Sequence, residues 1–228
     1  MTFSLTLQNL GISYPGRVIL ESQSVTFGPG THILRGSNGA GKSSMLRAIA
    51  GVHSSYTGDI RFGEFTERNS PEDYRRAMFY SGSDDLSIPW LAPVQYRDLI
   101  MQLYPNFDNQ RWDSLVLDLA LSSMETQKLS KLSLGTRRKF QHVLALSSGA
   151  SLLVFDEPFN GLDAASFHYL QTAINNELDH GRVILLVTHQ LPTCLVVDEF
   201  WELNNAALIN SDGPVTINDS PSEILDLR

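Results

Sequence analysis

The sequence is short of the features that mark secreted or membrane-spanning proteins. Its 228 residues include one cysteine, Cys194, which excludes an intramolecular disulfide and suits a reducing compartment. No apolar run approaches the roughly 18–20 residues needed to span a bilayer. The first residues carry no basic segment followed by an apolar core, so no secretion signal is expected. We therefore expect a cytoplasmic protein that reaches a membrane only through another chain.

Basic residues are also scarce. The chain has 17 lysines and arginines against 25 aspartates and glutamates, a formal net charge of -8. General nucleic-acid binding usually requires a basic patch, so no nucleic-acid partner is expected. Hydrophobic residues make up 42% and charged residues 18% of the chain, as in ordinary globular proteins. A chain of this length can form one large domain or two closely fused subdomains.

Glycine, in contrast, recurs at the spacing of a phosphate-binding loop. Residues 36–43 match G-x-x-x-x-G-K-[ST]. Glycines let backbone N–H groups approach an anion closely. Lys42 adds a positive charge for the β- and γ-phosphates, and the Ser43 hydroxyl can ligate Mg²⁺. A short apolar strand before the motif and a helical apolar face after it support a nucleotide-phosphate loop. Its predicted contacts are Gly36, Ser37, Asn38, Gly39, Ala40, Gly41, Lys42, Ser43 and Ser44.

Apolar strands alternate with helical segments in the second half of the chain. Residues 152–155 and 183–187 are apolar throughout, as expected of strands buried on both faces of a parallel sheet. A helical repeat lies between them, which predicts a doubly wound α/β core. Residues 1–35 read as short strands, with two separate apolar stretches at 18–20 and 25–27. Residues 81–148 have helical character, with repeats at Tyr96, Leu99, Ile100 and Leu103 and at Leu115, Leu119 and Ala120.

Two adjacent carboxylates follow the first buried strand. Unit charges 4 Å apart repel by about 4 kcal/mol at an effective dielectric near 20, so Asp156 and Glu157 beside a polyanion require a cation. Asp156 can hold Mg²⁺ beside Ser43, which leaves Glu157 to polarise the attacking water. His189 follows the second buried strand and points to the crevice where α/β folds bind ligands. We predict that Lys42, Glu157 and His189 are catalytic.

A second anion site is predicted where residues 132–136 precede a helix. Ser133 and Gly135 at a helix start can bind an anion through the free N–H groups. A chain with one phosphate loop needs this second site only if it serves the nucleotide of another subunit. The pattern indicates a head-to-tail dimer with ATP between the subunits. The turn at residues 13–16 presents Tyr14, whose ring can stack on a base.

Taken together, these motifs resemble those of the ATP-binding cassette (ABC) ATPases over essentially the whole chain. Residues 36–43 resemble Walker A, residues 152–157 Walker B with its glutamate, and residues 160–163 the D-loop that contains Asp163. Ser133 and Gly135 lie in a stretch similar to the LSGGQ signature, His189 resembles the switch histidine, and Tyr14 the adenine-stacking aromatic. The resemblance implies a RecA-like P-loop core, an N-terminal antiparallel β subdomain and a helical subdomain inserted at about residues 81–148. It also implies ATP and Mg²⁺ as ligands.

Two motifs, the signature and the Q-loop, depart from the family pattern. The signature has Leu134 for glycine and Thr136 for glutamine. The Q-loop glutamine is absent, and the nearest equivalent is Asp84, which could reach the metal through water. Ser43, Asp156 and Asp84 are therefore the predicted metal ligands.

The family resemblance leaves more than one function open. Residues 103–108 and 131–138 are similar to bacterial exporter ATPases that pair with separate membrane subunits, such as antibiotic-resistance cassettes. This predicts an ATP-hydrolysing exporter subunit at the inner face of the cell membrane, with a permease and a second cassette as partners. The alternatives are an ABC ATPase in a non-transport process and a non-hydrolysing regulatory cassette.

Overall fold

Two β-sheets organise the described part of this computed structural model, residues 3–52, 55–82, 86, 88–190 and 192–211. The sequence at residues 220–223 has the capping-box pattern that predicts a short final helix, and this segment lies outside the described residues, as does Asp84. The strands are β1 (Leu5–Tyr14), β2 (Arg17–Phe27), β3 (Gly30–Arg35), β4 (Tyr56–Phe62), β5 (Phe65–Thr66), β6 (Met78–Ser81), β7 (Leu152–Asp156), β8 (Val183–Val187), β9 (Glu199–Asn204) and β10 (Ala207–Ser211). The α-helices are α1 (Lys42–Ile49), α2 (Pro71–Ala77), α3 (Pro93–Leu103), α4 (Asn109–Asp118), α5 (Leu134–Ser147) and α6 (Ala164–Asn175).

The N-terminal sheet is antiparallel, with the order β2-β1-β4-β5. Leu5 and Leu7 of β1 are buried and alternate with less buried neighbours, as the period-2 pattern indicates. The two apolar stretches at 18–20 and 25–27 are joined in one strand, β2, rather than separated. Register shifts against β1 absorb the exposed polar residues between them, so the strand continues through a stretch that sequence patterning breaks.

The second sheet has the order β10-β9-β3-β8-β7-β6, and its pairs are parallel except for β10 with β9. All residues of β7 and β8 are buried, because packed elements cover both faces of these strands. The expected α/β fold is thereby confirmed. The carboxyl ends of β3, β7 and β8 meet at one edge, where Val187 pairs with both Leu34 and Asp156. This edge carries the predicted site.

Two buried clusters lie on opposite faces of this sheet. The α1 cluster joins α1 to the antiparallel sheet and includes Leu152 and Val154 of β7. The α5 cluster joins α4, α5 and α6 and includes Leu153 and Phe155 of the same strand. Alternate residues of β7 therefore fill two different cores, which is why the strand is apolar throughout.

The segment between β6 and β7 contains α3, α4 and α5, and its treatment as a separate subdomain remains a prediction. Trp112 is fully buried, with ring centroids 6.3 Å from Phe107 and 6.0 Å from Phe140. The helical repeat predicted α3, but Leu99 and Leu103 of this helix are 39% and 54% exposed. No helix among the described residues is both long and apolar enough to cross a membrane.

Candidate functional site: a phosphate cleft

The loop between β3 and α1 has a backbone that requires glycine at two positions. Gly36 and Gly41 have φ angles of 146° and 109°, which side chains rarely allow. A Cβ on Gly41 would lie 2.1 Å from Cγ2 of Ile19, and one on Gly36 would lie 2.5 Å from the carbonyl oxygen of Leu203. Glycine at these positions lets the loop pass close to Ile19 and to the Leu203 carbonyl.

Lys42 begins α1 and is 6% exposed. Its Nζ donates hydrogen bonds to the carbonyl oxygens of Gly36, at 2.7 Å, and Ser37, at 3.0 Å. Burial lowers the pKa of Lys42, and the nearby carboxylates of Glu157 and Asp156 offset part of this effect. The ammonium group therefore lies across its own loop and beside the free N–H groups of the helix start. This arrangement suits a phosphate anion.

A pair of oxygen ligands lies beside the loop, where β7 ends. The Ser43 Oγ donates to Oδ1 of Asp156 at 3.1 Å, and Asp156 is 1% exposed. Hydroxyl and carboxylate oxygens suit Mg²⁺, which commonly uses few protein ligands together with substrate phosphates and water. The two residues therefore fit the predicted metal site. The Tyr80 hydroxyl also reaches Oδ2 of Asp156, at 3.5 Å.

Glu157 and His189 meet across the ends of β7 and β8. Oε1 of Glu157 lies 3.2 Å from Nε2 of His189, and the His189 backbone N–H donates to Oε2 at 3.3 Å. Burial raises the pKa of Glu157, while His189 opposes the shift. A higher pKa makes the carboxylate a better proton acceptor while it remains ionised. Glu157 also has a φ of 55°, a backbone conformation that costs on the order of 1–3 kcal/mol outside glycine.

These groups line one cleft of about 660 Å³. Tyr14 stands at its edge, 40% exposed, with its hydroxyl donating to Ser44 Oγ at 3.2 Å. Gly36, Ser37 and Ala40 form the loop beneath the cleft, where the Ala40 N–H donates to the Ser37 carbonyl. The cleft is lined by Tyr14, Pro15, Arg17, Ile19, Asn38, Gly39, Gly41, Lys42, Ser43, Ser44, Asp156, Glu157, Asn160, Val187 and His189.

Two polar residues of the cleft were missed from the sequence, Arg17 and Asn160. Arg17 pairs with Tyr14 across the β1–β2 hairpin, and its guanidinium donates to the Gly39 carbonyl. A hairpin prediction around the turn at residues 13–16 would have placed Arg17 beside Tyr14. Asn160 belongs to the stretch that resembles the D-loop, so its position there was a usable signal.

Ser133, Gly135 and Asp163 lie outside the cleft. Ser133 is the N-cap of α5, where its Oγ accepts from the Thr136 N–H at 3.1 Å. A Cβ on Gly135 would lie 2.6 Å from the Gly161 carbonyl oxygen, so close packing within the chain already requires glycine there. Asp163 caps α6 and pairs with Lys139 Nζ at 2.7 Å. The role of these three residues in binding nucleotide remains a prediction.

A family model described as ABC transporter matches residues 20–160. The chain belongs to the ABC transporter ATPase family. The resemblance inferred from the motifs is therefore confirmed at the level of the family, for which ATP hydrolysis is the characteristic activity.

Individual relatives match most of this ABC ATPase. It is 28% identical over 221 residues to the arabinose import ATP-binding protein AraG of Pseudomonas fluorescens (strain Pf0-1), covering 92% of this chain. The chain spans only 41% of that relative's length. It is also 28% identical over 190 residues to the cytochrome c biogenesis ATP-binding export protein CcmA of Haemophilus influenzae (strain ATCC 51907 / DSM 11121 / KW20 / Rd), covering 82% of this chain and 89% of that protein.

A solved structure has the same fold. It is described as the structure of an ATP binding subunit of an ABC transporter, and it matches this ABC ATPase with a TM-score of 0.82 and 26% identity. The match covers 91% of this chain and 89% of the other. The ABC ATPase fold predicted from the sequence is thus confirmed over nearly all of both chains.

Proposed function

We propose that this chain binds and hydrolyses ATP as one of two cassettes that drive a separate membrane subunit, in the direction of export. The observation that supports hydrolysis most directly is the Glu157–His189 pair, which faces the same cleft as Lys42 and Ser43. The carboxylate that follows β7 and the imidazole that follows β8 are thus placed together where they could act on a water molecule in that cleft.

In the proposed reaction, the oxygen of a water molecule forms a bond to the γ-phosphorus of ATP. The bond between that phosphorus and the β,γ-bridging oxygen breaks, which gives ADP and inorganic phosphate. Glu157 accepts a proton from the water or orients it, and Nε2 of His189 holds the carboxylate in place. Lys42 offsets the charge on the β- and γ-phosphates. Mg²⁺ beside Ser43 and Asp156 would neutralise further phosphate charge.

A second cassette is proposed because the signature residues of one chain do not reach its own cleft. Ser133 and Leu134 are exposed at the start of α5, where the first N–H groups of a helix have no backbone partner within the helix. A second chain placed head to tail would bring such a helix start against a bound γ-phosphate. The membrane partner and the export direction rest on the similarity of residues 103–108 and 131–138 to exporter ATPases. The relatives include proteins named for import and for export.

The Glu157→Gln variant tests hydrolysis and pairing together. It keeps the shape of the side chain but removes the basic carboxylate, so turnover should fall about 100-fold or more. ATP should bind at least as tightly, because one negative charge beside the γ-phosphate is lost. The variant should elute as a dimer with ATP and as a monomer with ADP, by size-exclusion chromatography with light scattering.

Glu72→Gln is the matched control, because Glu72 lies exposed on α2 with a side chain 84% accessible. It should hydrolyse ATP at the wild-type rate. Wild-type turnover in Glu157→Gln would refute the assigned role of Glu157. A Glu157→Gln protein that stays monomeric at saturating ATP would contradict the homodimer. Co-purification with an integral membrane protein, followed by ATP-dependent transport in vesicles of known orientation, tests the partner and the direction.

A further inference from the structure

The backbone of Glu157 is held in a conformation that its neighbours would not favour. Its φ of 55° lies in the left-handed region, and the next residue is Pro158. A residue before proline normally adopts an extended conformation. A non-glycine residue keeps such a backbone only where the surrounding structure enforces it. The direction of the Glu157 carboxylate therefore depends on contacts made by the backbone of residues 157 and 158.

Two of these backbone contacts come from one helix. The Glu157 N–H donates to the carbonyl of Val187 at 2.9 Å, which ties the turn to β8. Nη1 of Arg138 donates to the Glu157 carbonyl at 3.3 Å, and Nε2 of His142 lies 2.7 Å from the Pro158 carbonyl oxygen. Arg138 and His142 are four residues apart on α5, so they project from the same face of that helix.

The hydrogen bonds of His142 define its tautomer. A carbonyl oxygen can only accept, so Nε2 carries the hydrogen that is donated to Pro158. Nδ1 is then the acceptor for the Ser81 hydroxyl, at 3.5 Å. Burial lowers the pKa of His142 to about 4, so the ring is neutral at physiological pH. One buried ring thus connects α5, the end of β6 and the turn after β7.

We propose that His142, together with Arg138, is a positioning residue that couples the placement of α5 to the direction of the Glu157 carboxylate. Neither side chain is among those that line the cleft, so both act through the backbone of residues 157 and 158. Because Ser133 caps the start of α5, a partner nucleotide bound there would contact the same helix whose Arg138 and His142 hold the Glu157 turn. This inference rests on the proposed role of Glu157 in hydrolysis.

The test compares His142→Leu with His142→Gln. Leucine removes the donor to Pro158, whereas the glutamine amide can still donate to that carbonyl. We expect kcat to fall about tenfold or more in His142→Leu, since a small misplacement of a catalytic group can cost up to about 100-fold. Binding of a fluorescent ATP analogue should stay within about twofold of wild type, because no phosphate contact changes. His142→Gln should recover most of the lost kcat.

Tyr74→Phe is the matched control for loss of a buried donor. The Tyr74 hydroxyl is buried and donates to the Ile49 carbonyl at 2.7 Å, away from the Glu157 turn. This variant should unfold at a lower temperature but keep the wild-type kcat. A fall in kcat equal to that of His142→Leu would attribute the effect to general destabilisation and overturn the inference.

The Glu157→Gln background separates positioning from other effects. If His142 acts only through the Glu157 carboxylate, His142→Leu should not reduce the residual rate of Glu157→Gln further. A further drop equal to that in the wild-type background would contradict the inference. If His142→Leu does not fold, Arg138→Met and Arg138→Lys replace the pair, with the same expected split between kcat and ATP binding.

The outcomes distinguish this inference from the function on which it rests. Wild-type turnover in Glu157→Gln would remove the proposed role of Glu157 and the inference with it. An inactive Glu157→Gln beside a His142→Leu protein with wild-type kcat would overturn the inference alone.

Discussion

At the phosphate loop, Lys42 is buried and its ammonium group already contacts two loop carbonyls, whereas at the signature Ser133 and Leu134 are exposed. The loop lies between a strand and a helix that follow each other in the chain. One domain can therefore assemble all of its donors. The signature presents a helix start to solvent, and its Ser133 hydroxyl is engaged within its own helix. The phosphate-loop half of the predicted ATP site is assembled within one chain, whereas the signature half would contact a nucleotide only in the proposed dimer.

Glycine has a different structural role in each of these two regions. Gly41 adopts a φ of 109° in the loop that faces the cleft. Gly135 is required by the Gly161 carbonyl, which a Cβ would approach to 2.6 Å. The glycine of the signature therefore has a packing role in the isolated chain, whatever it contacts in a dimer. A motif glycine is by itself weaker support for a ligand site at the signature than at the phosphate loop.

The largest expected effect is at the phosphate-loop half of the predicted ATP site. Lys42→Ala removes the buried ammonium beside the phosphate loop and should lower turnover by about 100-fold or more while weakening ATP binding. Single-turnover hydrolysis and titration with a fluorescent ATP analogue measure the two effects. The exposed Lys128 provides a control, since Lys128→Ala should match wild type in both. Near-wild-type hydrolysis in Lys42→Ala would rule out the assignment of the loop.

A substitution in the signature half of the site should affect hydrolysis only through the dimer. Ser133→Arg places a bulky side chain at the start of α5 and should lower kcat about tenfold or more, with ATP binding to the monomer unchanged. It should also abolish the ATP-bound dimer of Glu157→Gln. Ser133→Asn separates these effects from loss of the helix cap, because asparagine caps a helix about as well as serine. If Ser133→Arg weakens ATP binding to the monomer as much as Lys42→Ala does, the two halves of the site do not act separately.

Substitutions of Tyr14 test the edge of the phosphate-loop half of the site. Removing a stacked aromatic costs about 1–3 kcal/mol, so Tyr14→Ala should weaken ATP binding about tenfold. Tyr14→Phe keeps the ring and loses only the hydroxyl that donates to Ser44, so it should bind ATP nearly as well as wild type. Isothermal titration of both variants measures the difference. If phenylalanine and alanine are equally weak, the hydroxyl and not the ring is what the site uses.

The smallest expected effect is at the Lys139–Asp163 ion pair, which joins α5 to the N-cap of α6. The hydrogen bond from Lys139 lowers the pKa of Asp163 below its usual value. A lowered pKa stabilises the fold at pH values above the unfolded pKa of about 4, and this contribution is lost as the pH falls through the folded pKa. Because the Asp163 side chain is 58% exposed, the effect should stay below about 1 kcal/mol.

Urea unfolding of Lys139→Met checks this expectation. The variant should be slightly less stable than wild type at neutral pH, and the two proteins should converge as the solution is acidified. Lys128→Met controls for loss of a surface lysine. A difference that grows in acid would show that the pair does not stabilise the ionised form of Asp163.

The phosphate loop and the buried strands β7 and β8 could be predicted from the sequence because their signals are local. Residues 36–43 carry the loop chemistry in order, and a strand covered on both faces must be apolar throughout. The family could be recognised for the same reason, since its motifs are contiguous stretches in a fixed order. Together these signals determined the α/β architecture and the carboxylates that follow β7.

Only the tertiary structure decided what depends on contacts between distant parts of the chain. Arg17 enters the cleft because hairpin pairing sets it opposite Tyr14. Leu99 and Leu103 keep helical spacing but remain exposed, because burial depends on what packs against a helix and not on its period. His142 lies within an apolar stretch of α5 that gives no sign of its contact with the Pro158 carbonyl. Such contacts form between elements that are distant in the sequence, so no local pattern of residues predicts them.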